Sequence, residues 1–501
     1  MKHTITMTSV QNYINGEWVD AEGGKVFESI NPADRREVVA LVAESSIADV
    51  DRAVLAAREA YKTWRLVPAP KRGEIIFRAA EALVKHKKRL GELVTREMGK
   101  VLAEGLGDVQ EAIDMAYYMA GEGRRLTGET VPSELPNKDA KSVRVPIGVF
   151  ALITPWNFPT AIPAWKIFPA LIAGNTVVFK PSRYTPACAA ELVRILSDAG
   201  LPKGVLNLVN GPGGEVGRAL TAHPGIDGVS FAGSYAVGRA LAMQSAHDGK
   251  ESSFEMGGKN AIIVMDDANL DLAVEGAIWG GFGTTGQRCT AASRVIVHRP
   301  VYKEFIDRFV VRAKKLKLGN GLDRHTDVGP LASDEQLKKV QHYVQLGTSE
   351  GAELVLGGHH LTHGELAYGY FMEPTIFIGV RPEMQIAREE IFGPVVSIIK
   401  AEDLSDAIRI VNAVDYGLSA SIYTADVNKS AVAERDIEAG IVYINASTIG
   451  AEIQLPFGGF KRSGYGNKHE AGGRGGALDL FTRWKVVYRD FSGRLQRAQI
   501  D

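Results

Sequence analysis

Val149-Phe-Ala-Leu-Ile-Thr-Pro-Trp-Asn-Phe-Pro-Thr-Ala-Ile-Pro-Ala-Trp-Lys-Ile-Phe-Pro-Ala-Leu-Ile-Ala-Gly-Asn-Thr-Val-Val-Phe-Lys180 is the stretch that decides the fold. It opens with a continuously apolar run and closes with another. Between them, residues 162–173 read as a helix, stopped by Gly174-Asn175. A short run that is apolar on both faces is the mark of a strand buried on both sides, as in a parallel sheet. The pattern then repeats. Residues 187–199 read as a helix, 205–209 as a strand, 215–222 as a short helix and 227–231 as a strand, with a further helix from Ala236. Such alternation spells βαβ units and a parallel sheet, the arrangement of dinucleotide-binding domains.

On the N-terminal side, Tyr13-Ile-Asn-Gly-Glu-Trp18 places Asn-Gly between apolar residues, a hairpin signal. Residues 46–123 carry helical periodicity, and Ser46 with Asp49 forms a capping-box pattern at its start. On the C-terminal side a second α/β series begins near Asn260. It has strands expected at 295–297, 395–400, 418–423 and 441–445 and helices at 302–316 and 334–350. Residues 141–145 and 484–491 read as additional edge strands, and exposed edges can pair with another chain. The length, 501 residues, fits roughly two to four domains. The expected fold class is therefore α/β, with two closely packed α/β domains and a site between them.

The bulk numbers exclude more than they assign. Lys plus Arg is 58 and Asp plus Glu is 59, so a net charge of -1 makes no global case for nucleic acid or a membrane surface. No apolar run reaches membrane-span length, and the start of the chain lacks a secretory pattern. With 2 cysteines and no such signal, a reducing cytoplasm is expected.

One of those cysteines, Cys289, follows the glycine-rich run Gly280-Gly-Phe-Gly-Thr-Thr-Gly286 and sits directly after Arg288. A thiol in a polar loop beside a fixed cation is a candidate thiolate nucleophile. Cys188, in an apolar helical run, reads instead as a buried, inert side chain. Gly281-Phe-Gly-Thr-Thr-Gly286 spells a dinucleotide fingerprint but lacks the preceding strand, so it is a decoy. Phe231-Ala-Gly-Ser-Tyr-Ala-Val-Gly238 has the right context, a strand before it and a helix after it. Asn157, after the first parallel strand, can donate to an oxyanion. Glu255, at a strand end before paired glycines, can serve as a general base. Lys180 ends a strand where open α/β sheets bind ligands. His359, His360 and His363 match no metal-ligand spacing, so no metal is expected.

Taken together these residues resemble the aldehyde dehydrogenase family. The motifs run in order through nearly the whole chain: Pro155-Trp-Asn-Phe-Pro159, Phe179-Lys-Pro-Ser182, Phe231-Ala-Gly-Ser234 with Gly238, Phe254-Glu-Met-Gly-Gly-Lys259, Gly286-Gln-Arg-Cys289, Glu389-Glu-Ile-Phe-Gly-Pro394 and Pro456-Phe-Gly-Gly459. The resemblance implies a Rossmann-like cofactor domain (1–126 and 147–257), an α/β catalytic domain (258–460) and a small β oligomerisation extension (127–146 and 475–501). It implies an NAD(P)-dependent oxidation of an aldehyde to an acid through a cysteine thiohemiacetal and a thioester. Cys289 would be the nucleophile, with Asn157 on the oxyanion, Glu255 activating water and Lys166 relaying protons. Cofactor contacts would come from Thr154, Trp156, Lys180, Ser182, Arg183, Gly213, Gly233, Ser234, Val237, Met256, Gly257, Glu390 and Phe392. Phe158, Trp165, Arg288 and Phe457 would face the substrate. Homodimers or homotetramers are usual in the family.

Two departures from the family pattern matter. Where NAD-preferring members often carry glutamate, this chain has Arg183, which favours NADP because a guanidinium attracts the 2′-phosphate that a carboxylate repels. Lys468-His-Glu470 replaces a common Arg-Glu pair and weakens the case for Glu470 in a relay. Arg288 and the Gln-Arg-Cys-Thr-Ala run look like members that handle carboxylated semialdehydes such as 2-oxoglutarate or succinate semialdehyde, or glyceraldehyde 3-phosphate. The aromatic residues suit uncharged aliphatic or aromatic aldehydes equally. A cysteine hydrolase would need a histidine base, and none occurs in the motifs. A fold-only binding protein would not need Cys289, Glu255 and Asn157 together.

Overall fold

The computed structural model describes residues 8–465 and 470–500. Lys468 and His469, part of the second departure above, lie outside the described residues.

The opening stretch folds into the centre of an eight-stranded sheet. Five of its strands run parallel, in the spatial order Glu251–Glu255, Gly228–Ala232, Val149–Ile153, Thr176–Lys180, Leu206–Leu208. Strand Val149–Ile153 is apolar throughout because each of its faces meets a different core. Phe150 and Leu152 join the cluster containing Trp64, Ile113 and Phe168; Val149, Ala151 and Ile153 join that of Val50, Val54 and Leu220. The chain winds to one side through Thr176–Lys180 and Leu206–Leu208, then returns to build the other side. The order therefore reverses between Val149–Ile153 and Gly228–Ala232, and this switch point is where an open α/β sheet leaves a crevice at its carboxyl edge.

Helix Ala161–Ala173 stops at Gly174, whose φ of 97° is a left-handed cap that suits glycine. Helix Ile47–Trp64 begins with the Ser46/Asp49 capping box. The Asn15-Gly16 turn joins Asn12–Ile14 to Glu17–Val19, with φ of 51° and 84° at its two residues. The expected helix at 215–222 is a π-turn, Gly213–Gly217, running into Arg218–Ala222.

A second, seven-stranded sheet has the order Glu353–Leu356, Thr375–Ile378, Val395–Ala401, Ala292–His298, Asn260–Val264, Ser419–Tyr423, Ile441–Ile444. All its pairings are parallel except the first. A third sheet joins Thr482–Asp490 antiparallel to Lys138–Pro146 and then to Glu129–Pro132. Two strands near the N-terminus, Val26–Ile30 and Val38–Ala43, had no expectation attached to them. Among the described residues, no helix is long and apolar enough to cross a membrane. His359 pairs with Glu373 at 2.9 Å on the surface.

Candidate active site

The carboxyl edge of the first sheet faces the start of the second. Thr154 and Asn157 follow Val149–Ile153, Gly233 and Ser234 follow Gly228–Ala232, and Glu255 ends Glu251–Glu255. Cys289 comes from the other side, just before Ala292–His298. All of these except Thr154 line one cavity of about 230 Å³, together with Trp156, Phe158, Trp165, Met256, Gly257, Arg288, Glu390, Phe392 and Phe457.

The loop bearing Cys289 is held under strain. Thr284 and Thr285 have φ of 50° and 58°, left-handed values that are costly for β-branched residues, and Gly286 follows at 68°. Its braces are specific. Thr284 N donates to Glu104 Oε1 at 2.7 Å, Thr285 Oγ1 to Gly329 O at 3.0 Å, and Gln287 Nε2 to Pro330 O at 3.2 Å. Asn260 Nδ2 donates to Cys289 O at 2.7 Å and to Ala291 O at 3.0 Å, which fixes the backbone on which the thiol stands. A Cβ on Gly286 would lie 2.2 Å from Gly393 O, so this turn demands glycine.

The Arg288 side chain is committed to groups other than the thiol. Its Nη2 meets Glu104 at 3.1 Å, its Nε donates to Thr284 Oγ1 at 2.8 Å, and its guanidinium lies over Phe158 and Trp279. The thiolate expected from a neighbouring cation is therefore not what the structure provides. Burial, then Glu390 and Glu255, push the Cys289 thiol up to about 12. A neutral thiol so placed needs a base to take its proton.

Glu255 can be that base. Its side chain is buried and Oε2 has no hydrogen-bond partner. Burial pushes its carboxyl up to about 8, against the pull of Lys166 and a bond from the Gly459 backbone. Lys166 is fully buried, donates to Ser230 Oγ at 2.8 Å and contacts the Glu470 carboxylate. Burial pushes it down to about 7, while Glu255 raises it. Glu470 also accepts from Ser230 at 3.2 Å, so the residue that the sequence reading set aside does reach Lys166. Asn157 is buried with Oδ1 unpartnered. Trp165 and Phe457 meet edge-on at 5.3 Å and form an apolar wall.

The cofactor side is equally built. Ser234 is the N-cap of helix Tyr235–His247 and makes no side-chain cap bond, leaving the helix N-terminus open to an anion. Val237 is exposed in its first turn. Gly233 N bonds to Glu255 O at 3.0 Å, tying this turn to the strand that carries Glu255. Thr154 Oγ1 is buried without a partner. Glu390 accepts from Gly258 N at 3.0 Å, and Gly257 has no room for a side chain because a Cβ would meet that carboxylate at 2.2 Å. Phe392, at φ 60°, packs edge-on against Trp156 at 5.5 Å. Lys180 is buried, donates to Pro181 O at 2.7 Å and is pushed down to about 8 by burial and by Arg183. Arg183 is exposed and stacks over Phe27. Ser182 accepts from Tyr184 N at 3.2 Å. Gly213 opens the π-turn, with free space where its Cβ would be. An open helix N-terminus, an orphaned hydroxyl and two cations at the sheet edge fit a dinucleotide.

Sequence reasoning passed over three residues on one helix, Leu102–Glu122. Glu104, Asp108 and Glu111 are spaced four and three apart and so share a face. Glu104 holds Arg288 and Thr284. Asp108 pairs with Lys100 at 3.0 Å and accepts from Thr160 N and Ala161 N. Glu111 lines the cavity. The available signal was acids recurring at helical spacing in line with the apolar Met115.

A cysteine set where an open parallel sheet presents a helix N-terminus defines a dinucleotide-dependent oxidoreductase. Residues 18–487 match the Aldehyde dehydrogenase family, and the chain belongs to it. It is 43% identical over 479 residues to an alpha-ketoglutaric semialdehyde dehydrogenase of Bacillus subtilis, covering 95% of this chain and 97% of that one. It is 45% identical over 481 residues to an alpha-ketoglutarate semialdehyde dehydrogenase of Haloferax volcanii, covering 96% and 99%. Among solved structures, it superposes with a TM-score of 0.94 on betaine aldehyde dehydrogenase from Staphylococcus aureus in complex with NAD+, at 35% identity over 97% and 96% of the two chains. The chain is thus an NAD(P)-dependent aldehyde dehydrogenase.

Proposed function

We propose that this chain oxidises a carboxylated semialdehyde of the 2-oxoglutarate semialdehyde class to the dicarboxylate. The observation that carries the reading is that Cys289, Asn157, Glu255 and Arg288 line one cavity with aromatic walls. The semialdehyde names of the relatives support the substrate class. The enzyme acts in two stages on one thiol. Glu255 takes the Cys289 proton, the sulfur adds to the aldehyde carbon, and the Asn157 amide with the Cys289 N–H holds the oxygen that becomes negative. The nicotinamide, when bound, would supply the acceptor for the hydride. Cys289 is then left as a thioester, and Glu255 activates the water that hydrolyses it. Lys166, Ser230 and Glu470 carry protons away from Glu255 through the buried chain described above.

Thr154, Trp156, Ser182, Gly213, Gly233, Ser234, Val237, Met256 and Gly257 would line the dinucleotide. Lys180 and Glu390 would take its riboses, with Phe392 against the nicotinamide end. Arg183 favours NADP: it stands near enough to Lys180 to push that ammonium's proton affinity down, so two cations share that sheet edge. Sequence ranges 1–126 and 147–257 form the cofactor domain, 258–460 the catalytic domain, and 127–146 with 475–501 the extension. Trp484, Val486 and Tyr488 are exposed on the extension's outer strand, which suits pairing with a second copy in a dimer or tetramer. Both cysteines are free, as a reducing cytoplasm would keep them.

The test is formation of reduced nicotinamide with 2-oxoglutarate semialdehyde, 4-oxobutanoate, butanal, benzaldehyde, glyceraldehyde 3-phosphate and betaine aldehyde, each with NAD and NADP. The highest kcat/KM is expected for the first of these. A clear preference for butanal, benzaldehyde or betaine aldehyde would overturn the substrate reading.

A further inference from the structure

Glu111 is a carboxyl group that the reaction as described does not use. It lines the catalytic cavity with Phe158, Trp165 and Arg288. Its two helix neighbours on the same face, Glu104 and Asp108, are each committed to protein partners. Arg288 alone is a poor counter-ion for an anionic substrate, since Glu104 already offsets much of its charge. Ionised Glu111 would make matters worse by adding a like charge to the same space. A neutral carboxyl there does the opposite, because it adds a hydrogen-bond donor to those of Arg288.

Resting on the substrate class proposed above, we propose that Glu111 is a specificity-determining residue. It donates a hydrogen bond as a neutral acid to the far end of the substrate, and with Arg288 it selects aldehydes that end in a carboxylate. The surroundings support the neutral form. Burial, then Asp108, pushes Glu111 up to about 7, while Arg288 and Lys100 pull it back and Asp114 adds a small push upward. Tyr443, from the strand Ile441–Ile444, also faces it and is itself pushed up to about 12 by burial. Asp108 and Asp114 thus oppose Arg288 and Lys100 around Glu111, and whether Glu111 holds its proton sets how the far end of the cavity meets an anion.

The consequence is a pH-dependent preference that belongs to the substrate and leaves the chemical step alone. The quantity to measure is the ratio of kcat/KM for 4-oxobutanoate to that for butanal, from pH 6 to 9. Both aldehydes have four carbons and share the thiol, the base and the proton relay, so the titrations of Cys289, Glu255 and Lys166 cancel. The ratio should fall at least about tenfold across the range as Glu111 loses its proton. In Glu111→Gln, a permanently neutral donor, the ratio should stay near its wild-type low-pH value at every pH. In Glu111→Leu it should be at least about tenfold lower at pH 6, through KM. A pH-independent wild-type ratio would overturn the proposal, and so would a Glu111→Leu ratio equal to wild type. A wild-type ratio below one at every pH overturns the substrate class instead. The role of Glu111 then stands if the ratio still moves with pH and flattens in Glu111→Gln, and it falls if the ratio does neither.

Discussion

Replacing Glu104 by alanine tests how the nucleophile is held. Glu104 Oε1 accepts from the Thr284 amide at 2.7 Å and from the Arg288 guanidinium at 3.1 Å. Both side chains of the ion pair are largely buried, at 12% and 5% exposure. Removing one partner of a buried pair costs about 3–5 kcal/mol, because the other charge is left without compensation. Arg288 keeps its bond to Thr284 Oγ1 and can lean toward the cavity, which places the expected loss at the lower end, about 3 kcal/mol. The loss should fall on the loop, because Thr284 and Thr285 hold left-handed backbone that the amide bond to Glu104 helps to impose. At about 1.4 kcal/mol per tenfold, local opening becomes about 100 times more frequent. Hydrogen exchange of the 283–290 amides should accelerate by that factor, while the 149–153 strand exchanges as before. Exchange at 283–290 within threefold of wild type would refute the bracing role. The double variant Glu104→Ala, Arg288→Leu should lose less than the sum of the two single variants, by about 1–3 kcal/mol, because no unpaired charge remains.

Glu255, held near 8, must be ionised to act as a base, so the hydrolytic rate should climb from pH 6 toward 8 and level above it. Glu255→Gln should lose that rise, slow turnover by at least about 100-fold, and lose the burst of reduced nicotinamide as well, because the Cys289 thiol keeps its proton, read by stopped-flow absorbance. A full burst would confine Glu255 to the hydrolytic step and refute its role as the base for Cys289. Gly286→Ala forces a Cβ to 2.2 Å from Gly393 O at a φ of 68°, so it should destabilise the loop by about 2 kcal/mol or more and lower Tm measurably. Arg183→Glu should move the ratio of kcat/KM for NADP over NAD down at least about tenfold in steady-state assays, and an unchanged ratio would mean that Arg183 only stacks on Phe27.

The sequence by itself determined the parallel sheet, the order of its βαβ units and the decoy status of Gly281 to Gly286, and it singled out Cys289, Asn157 and Glu255 as candidates. Those features are local. An apolar run of five residues, a glycine after a helix and a polar residue at a strand end each leave their mark within a few positions. The tertiary structure alone decided the state of those groups. Arg288 neighbours Cys289 in sequence, yet its charge is spent on Glu104, from a helix 184 positions away, and the thiol is governed instead by burial and by Glu255 and Glu390. Glu470 joins Lys166 across 304 positions, and Glu111 faces the cavity from a helix that reads as one more amphipathic segment. Which charges meet, and how much water separates them, depends on contacts between distant elements, and a side chain's proton affinity follows those contacts and leaves no pattern in the residues beside it.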